Sequence, residues 1–231
     1  MSVNQPMSIN IPSAIAIIAP DGSLTARQKR HLLIQMALRR VRPGTGSAPV
    51  FMRERTAMLT WPDLREILKD FDWLVVGGVA TRAYMPERLT KDLDILVRRR
   101  DGDAVIAQLK KSGFETETPL AIPGCLLRSA DGVDVDVLFG EAAWLDEALA
   151  HPDRDPAGFP VATLPYLVMM KMEASRGRDL SDLYILLGWA DDRALDEVRK
   201  AVKRYMPEDM DDLESIIYIG RQEQESGRGN A

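Results

Sequence analysis

Runs of apolar and polar positions divide the chain into a first half with strand-like patterns and a second half with helical ones. Trp73-Leu-Val-Val76 is a short, continuous apolar run stopped by Gly77-Gly78, the pattern of a buried strand. Leu93-Asp-Ile-Leu-Val97, Phe114–Thr118, Leu126–Ser129 and Val133–Phe139 read as further strands, with Asp131-Gly132 as a tight turn between the last two. Val79–Tyr84 and Gly102–Ser112 are helical in period, and Gly113 stops the second of them. Ahead of the first strand, Trp61 to Lys69 predicts a short helix capped by Thr60, with Pro62 at a tolerated first position. From residue 141 the period is that of helices throughout: Glu141–Ala150, Leu164–Ser175, Asp179–Ala190, Leu195–Tyr205 and about Asp209–Ile219. Strands first and helices afterwards predict an α+β fold.

The N-terminal fifth reads differently. Residues 1–22 have several prolines and no period, so poor order is expected there. Ser23–Val41 predicts a helix with Ser23 or Thr25 as cap, an apolar strip of Leu32, Leu33, Met36 and Ala37, and a polar face holding Arg27, Lys29, Arg30, Arg39 and Arg40. Pro43 to Pro49 reads as a linker, and Met52 and Met58 beyond it are alternative starts of translation. Charge follows the same division. Residues 1–50 carry six Lys/Arg against one Asp, leaving 24 Lys/Arg against 34 Asp/Glu in the remaining 181. The acidic body does not look like a general nucleic-acid binder; the basic helix reads first as a surface or partner-facing helix, with a nucleic-acid contact as the alternative.

Composition removes several kinds of chemistry. One cysteine, Cys125, excludes an internal disulfide framework and a zinc site of several cysteines, and is most simply a small buried apolar residue. Two histidines make histidine-based catalysis a poor candidate. The apolar stretch from Ile11 to Pro20 is too short to span a bilayer and has no basic residues ahead of it, so neither a membrane span nor a secretory signal is expected. A cytoplasmic location is the expectation.

Carboxylates carry the chemistry that remains. Fourteen residues after Gly78 come Asp92 and Asp94, two apart on a strand and therefore on one face. Two adjacent carboxylates repel unless a cation or proton lies between them, and a hard divalent ion such as Mg2+ bridging to phosphates is the natural occupant. Val133-Asp-Val-Asp-Val137 presents Asp134 and Asp136 on one face, and either completes a triad if the two strands are neighbours. Gly77-Gly78, between strand and helix, lets a phosphate approach backbone N–H groups, or is a plain turn. Arg98-Arg99-Arg100 is too far along its strand to serve the same site, and reads as a solvated strand exit.

Gly77-Gly78, the run Arg88-x-Thr90-x-Asp92-x-Asp94 and the later Asp136-Val-Leu resemble the polymerase-beta-like nucleotidyltransferase superfamily. Leu164-Pro165, Met170-Lys171-Met172 and Arg178-Asp179-x-x-Asp182 are similar to its AbiEii/AbiGii-type toxin branch. Gly-Gly replaces the commoner Gly-Ser, and Arg178 stands where a lysine is usual. The resemblance implies a mixed sheet with flanking helices and a C-terminal helical bundle. It also implies dependence on Mg2+ or Mn2+ and transfer of a nucleoside monophosphate from an NTP, with tRNA as the foremost acceptor and an antitoxin protein as partner. An aminoglycoside-type small molecule is the alternative acceptor, and a non-catalytic binding module the alternative role. It favours Asp136 over Asp134 as the third metal ligand with Asp92 and Asp94. Lys171, otherwise a snorkelling surface lysine, becomes a phosphate contact. Asp182 becomes its orienter or a base, while Asp179 reads as a helix cap. Arg88 and Thr90 are candidate triphosphate contacts beside Gly77 and Gly78. The expected organisation is a basic, partly disordered extension over 1–50, dispensable for chemistry, a catalytic core over 51–140, and a helical part over 141–231 that completes the site.

Overall fold

The computed structural model describes residues 11–41, 61–85, 90 and 92–224. The linker at 43–49, Met52, Met58, the cap at Thr60 and Arg88 lie outside the described residues. Among those described, strands β1 (Trp73–Val75), β2 (Asp92–Arg98), β3 (Glu115–Pro119), β4 (Gly124–Arg128), β5 (Asp134–Gly140), β6 (Asp153–Arg154) and β7 (Pro160–Val161) form one sheet in the order β3-β4-β5-β2-β1-β7-β6. β2 runs parallel to β5 and β1 parallel to β7, while the β1–β2, β3–β4, β4–β5 and β6–β7 pairs are antiparallel. The sheet is mixed, and the fold is α+β.

Alternation sets what each face of the central strands presents. Leu93 and Ile95 on β2, and Val135 and Val137 on β5, are fully buried. Asp92, Asp94, Asp134 and Asp136 occupy the intervening positions and point the other way. Helices then flank the sheet. After the short α1 (Ser13–Ala16) and α2 (Ala26–Leu38), α3 (Gly77–Ala80) follows β1 directly, and α4 (Gly102–Lys111) buries Val105 and Leu109. The C-terminal part comprises α5 (Leu145–Ala150), α6 (Leu164–Ala174), α7 (Gly177–Trp189), α8 (Asp192–Tyr205) and α9 (Met210–Gln224). α6 is buried around most of its circumference, packed among α2, α7 and α8. α7 and α9 approach so closely that a Cβ on Gly188 would lie 2.5 Å from the Gly220 carbonyl oxygen.

Several elements differ from their sequence patterns. Residues 65–70 form turns instead of a helix from Trp61 to Lys69, although Leu64 and Leu68 are both buried and joined by an i to i+4 backbone hydrogen bond of 2.8 Å. β6 and β7, two residues each, are too short to leave a period. An Asp155 carboxylate that accepts from the Ala157 and Phe159 amides shapes the loop between them. Cys125 is half-buried, not buried.

The largest correction concerns α2. Thr25 caps it through a reciprocal capping box with Gln28. Its buried face, however, is Arg30 and Ile34, with Ala37, Leu38 and Val41 partly covered, while Leu33 and Met36 are exposed. Arg30 belongs to the inward face, 2% exposed, because it finds charged partners on α9 and just before it. Hydrophobic period alone cannot place a buried guanidinium.

Candidate active site

Asp92, Asp94 and Asp136 meet where β2 and β5 lie side by side. The parallel register pairs Asp92 with Asp134 and Asp94 with Asp136. One carboxylate oxygen from each of Asp92, Asp94 and Asp136 lies within 4.8 Å of the others. Asp134 faces elsewhere in its interactions and accepts from Arg128 Nε on β4 at 2.8 Å. Side-chain contacts thus separate two aspartates that alternation and register leave equivalent.

Burial and mutual repulsion leave their mark. Desolvation first, then the charges of Asp92 and Asp136, push the Asp94 carboxyl up to about 7, against the opposing pull of Lys171 and Arg176. Asp136 is raised too, by desolvation and then by Asp92 and Asp134. Three oxygen donors held this close, one reluctant to ionise alone, fit a hard divalent cation. Thr90 Oγ1 donates to Asp92 Oδ1 at 2.9 Å, so its hydroxyl orients a carboxylate of the cluster.

Gly77 supplies the room. Its φ is +62°, a left-handed conformation, and a Cβ there would sit 1.9 Å from Asp94 Oδ2. Both reasons demand glycine. With Gly78 it lines a cavity of about 580 Å³ that also takes in the three aspartates, Lys171 and Arg176. β1 ends at this point because the chain must turn beneath Asp94, and the amides of Gly77 and Gly78 open α3 beside the carboxylates.

Cations on the helical part line the same cavity. Lys171, on the last turn of α6, is nearly buried, with Nζ 2.6 Å from Asp182 Oδ2 and 3.7 Å from Asp179 Oδ1, both on α7. It is not a snorkelling surface lysine. Asp179 does serve the helix start, but at the third helical position: it accepts from the Arg176 backbone N–H at 3.2 Å and from Arg176 Nε at 2.7 Å. Arg176 was not singled out in the sequence. It stands in the bend between α6 and α7, lines the cavity, and feels the charges of Asp94 and Asp92. The signal that could have found it is its position three residues before an acidic N3 residue. Arg98, at the far end of β2 from Asp92, pairs with Asp72 and Asp146. A larger cavity of about 680 Å³ lies among Tyr84, Tyr166 and Tyr205. It contains none of the three aspartates, and its Glu147, Glu197, Lys200 and Arg204 are paired with one another or with Tyr205.

No protein-family model and no curated protein matches the chain. Solved structures similar to it include the antibiotic-resistance factor ANT(2'')-Ia, at 15% identity over 71% of this chain and 91% of that one, with a TM-score of 0.38. Another is the lincosamide antibiotic adenylyltransferase LnuA bound to lincomycin, at 15% identity over 67% and 92%, with a TM-score of 0.37. A third is terminal uridylyl transferase 4 from Trypanosoma brucei with bound GTP, at 15% identity over 71% of this chain and 57% of that one, with a TM-score of 0.28. No helix among the described residues is long and apolar enough to cross a membrane.

Proposed function

We propose that the chain is a divalent-metal-dependent nucleotidyltransferase that moves a nucleoside monophosphate from an NTP to an acceptor hydroxyl. The observation that carries this reading is the convergence of Asp92, Asp94 and Asp136 in one cavity that the cations Lys171 and Arg176 also line. Asp92, Asp94 and Asp136 would hold Mg2+ or Mn2+, which when bound neutralises phosphate charge and lowers the pKa of an attacking hydroxyl. Gly77 and Gly78 let phosphate oxygens approach the backbone amides. Lys171, fixed by Asp182, offsets the charge that develops on the leaving pyrophosphate. Asp182 is engaged with that ammonium, which favours an orienting role over that of a base. The proton of the acceptor hydroxyl passes to a carboxylate of the Asp92, Asp94 and Asp136 cluster. The acceptor oxygen then bonds to the α-phosphorus as the bond to the bridging oxygen breaks and pyrophosphate leaves.

The resemblance in the motifs around Lys171 and Asp182 supports a macromolecular acceptor, tRNA foremost, and a toxin role with an antitoxin protein as partner. A specific observation favours the second reading, a cationic small molecule of the aminoglycoside kind. Arg30 is buried against Asp209 and Asp212, and the more exposed Arg27 pairs with Asp209, which reduces the charge that α2 offers to RNA. The test incubates the full chain with Mg2+ and each labelled NTP against total tRNA and an aminoglycoside panel. Label on tRNA supports the first reading and label on the drug the second. Nucleotide binding without transfer to either would leave a non-catalytic binding module. Growth arrest on expression, relieved by a co-expressed neighbouring gene, would identify the antitoxin.

A further inference from the structure

The bend between α6 and α7 sets where Lys171 and Arg176 point, and it is held from the other end of the sequence. Ser175 sits in that bend with φ 49° and ψ 31°, the only left-handed non-glycine among the described residues. Such a conformation is strained for a side chain and persists only where its surroundings impose it. Its amide donates to the Lys171 carbonyl at 3.0 Å, and its hydroxyl to the Met172 carbonyl. Arg30 of α2 reaches the same place. Its Nη1 donates to the Met172 carbonyl and to Ser175 Oγ, the latter at 3.1 Å, while Nη2 donates to Asp209 Oδ1 at 2.5 Å and Nε to Asp212 Oδ2 at 2.9 Å. One planar guanidinium therefore ties α2 and the end of α6 to the start of α9, a geometry that suits the arginine fork and not a point charge.

We propose that Arg30 is a positioning residue for the nucleotide site: by clamping the Met172 carbonyl in the last turn of α6 and the left-handed Ser175, it aims Lys171 and Arg176 at the phosphates. This rests on the reading of Lys171 and Arg176 as phosphate contacts. Two aspartates neutralise the guanidinium, so its charge does not act on substrate. Its effect passes through the bend. Small displacements of groups that bind a reacting phosphate cost heavily in affinity and rate.

Arg30→Lys is the informative change. An ammonium keeps a charge beside Asp209 and Asp212 but cannot also span Met172 and Ser175. Binding of ATP, GTP, CTP and UTP with Mg2+ is measured by calorimetry on the full chain, well below the thermal midpoint, and Mn2+ binding without nucleotide is measured in parallel. The expected result is a Kd for the best-bound nucleotide about 10-fold higher, with Mn2+ binding by the three aspartates unchanged. A lower thermal midpoint with an unchanged nucleotide Kd would make Arg30 merely structural and overturn the proposal. So would equal loss of Mn2+ binding. Should Arg30→Lys fail to fold, the triple variant Arg30→Met, Asp209→Asn, Asp212→Asn removes all three charges together, and the same weakening of nucleotide binding is expected. Wild-type affinity in that variant overturns the proposal. If the wild-type chain itself binds none of the four nucleotides, the phosphate reading of Lys171 and Arg176 falls and this inference with it. If the wild type binds and the variants match it, only the role of Arg30 falls.

Discussion

Asp94 carries three demands in one side chain: it is half-buried, faces two other carboxylates, and touches the backbone turn at Gly77. Asp92→Ala or Asp94→Ala is expected to abolish transfer with the fold intact, since each removes a repulsive charge. Circular dichroism alongside the transfer assay checks both parts, and full activity in Asp94→Ala would sink the metal assignment. Asp136→Asn is expected to be inactive and Asp134→Asn active, because Asp134 is committed to Arg128.

The raised Asp94 carboxyl also sets a pH dependence. Its folded value of about 7 lies above the ordinary 3.8, so the metal-free folded chain keeps a proton there that the unfolded chain releases. The stability this contributes is fully present below pH 3.8 and is lost as pH rises through about 7. In EDTA, the thermal midpoint should therefore fall between pH 5 and pH 8. Added Mg2+ should raise it most at pH 8, and Asp94→Asn should flatten the fall. A midpoint that rises over this interval in EDTA, by an amount that Asp94→Asn removes, would reverse the sign assigned to Asp94.

Between elements, the α6–α7 pair is the part most exposed to single changes. Lys171 and Asp182 lie 11 residues apart on successive helices and are both almost fully buried. Removing the lysine leaves Asp182 without its nearest cation in a dry environment, and breaking one partner of such a pair costs about 3–5 kcal/mol. Lys171→Met is therefore expected to lose both stability and nucleotide binding, whereas Lys171→Met with Asp182→Asn should recover much of the stability and none of the activity. Denaturant titration of the single and double variants separates the two effects. On the sheet side, Gly77→Ala is expected to displace Asp94, since a Cβ there would occupy the space of its carboxylate. Weakened Mn2+ binding is the readout.

For the whole molecule, the N-terminal segment is not a free appendage in its described part. α2 is anchored by a buried Arg30 whose partners lie 142 to 182 residues away in the sequence. A chain starting at Met52 lacks that arginine and leaves Asp209 and Asp212 together without it. It is expected to melt at a lower temperature or to aggregate, contrary to the dispensability that composition suggested. A truncated chain with the wild-type melting temperature would show that α2 contributes nothing to the body.

Local pattern already determined much of this molecule. The period-2 alternation of Leu93, Ile95, Val135 and Val137 put Asp92, Asp94, Asp134 and Asp136 on one face of their strands. The glycine pair ended β1, and the change to helical period located the C-terminal part. These are properties of neighbours along the chain, set by strand and helix geometry. What the tertiary structure decided is which of those groups meet. The parallel β2–β5 register set both later aspartates beside the earlier pair, and the side-chain partners then differed: the Asp136 carboxylate joins Asp92 and Asp94, while Asp134 turns to Arg128. α6 turned Lys171 inward to Asp182, and Arg30 left the polar face of α2 for a buried set of acceptors. A buried charge is stable only where partners from distant segments compensate its desolvation, and periodicity along the sequence contains no information about those partners.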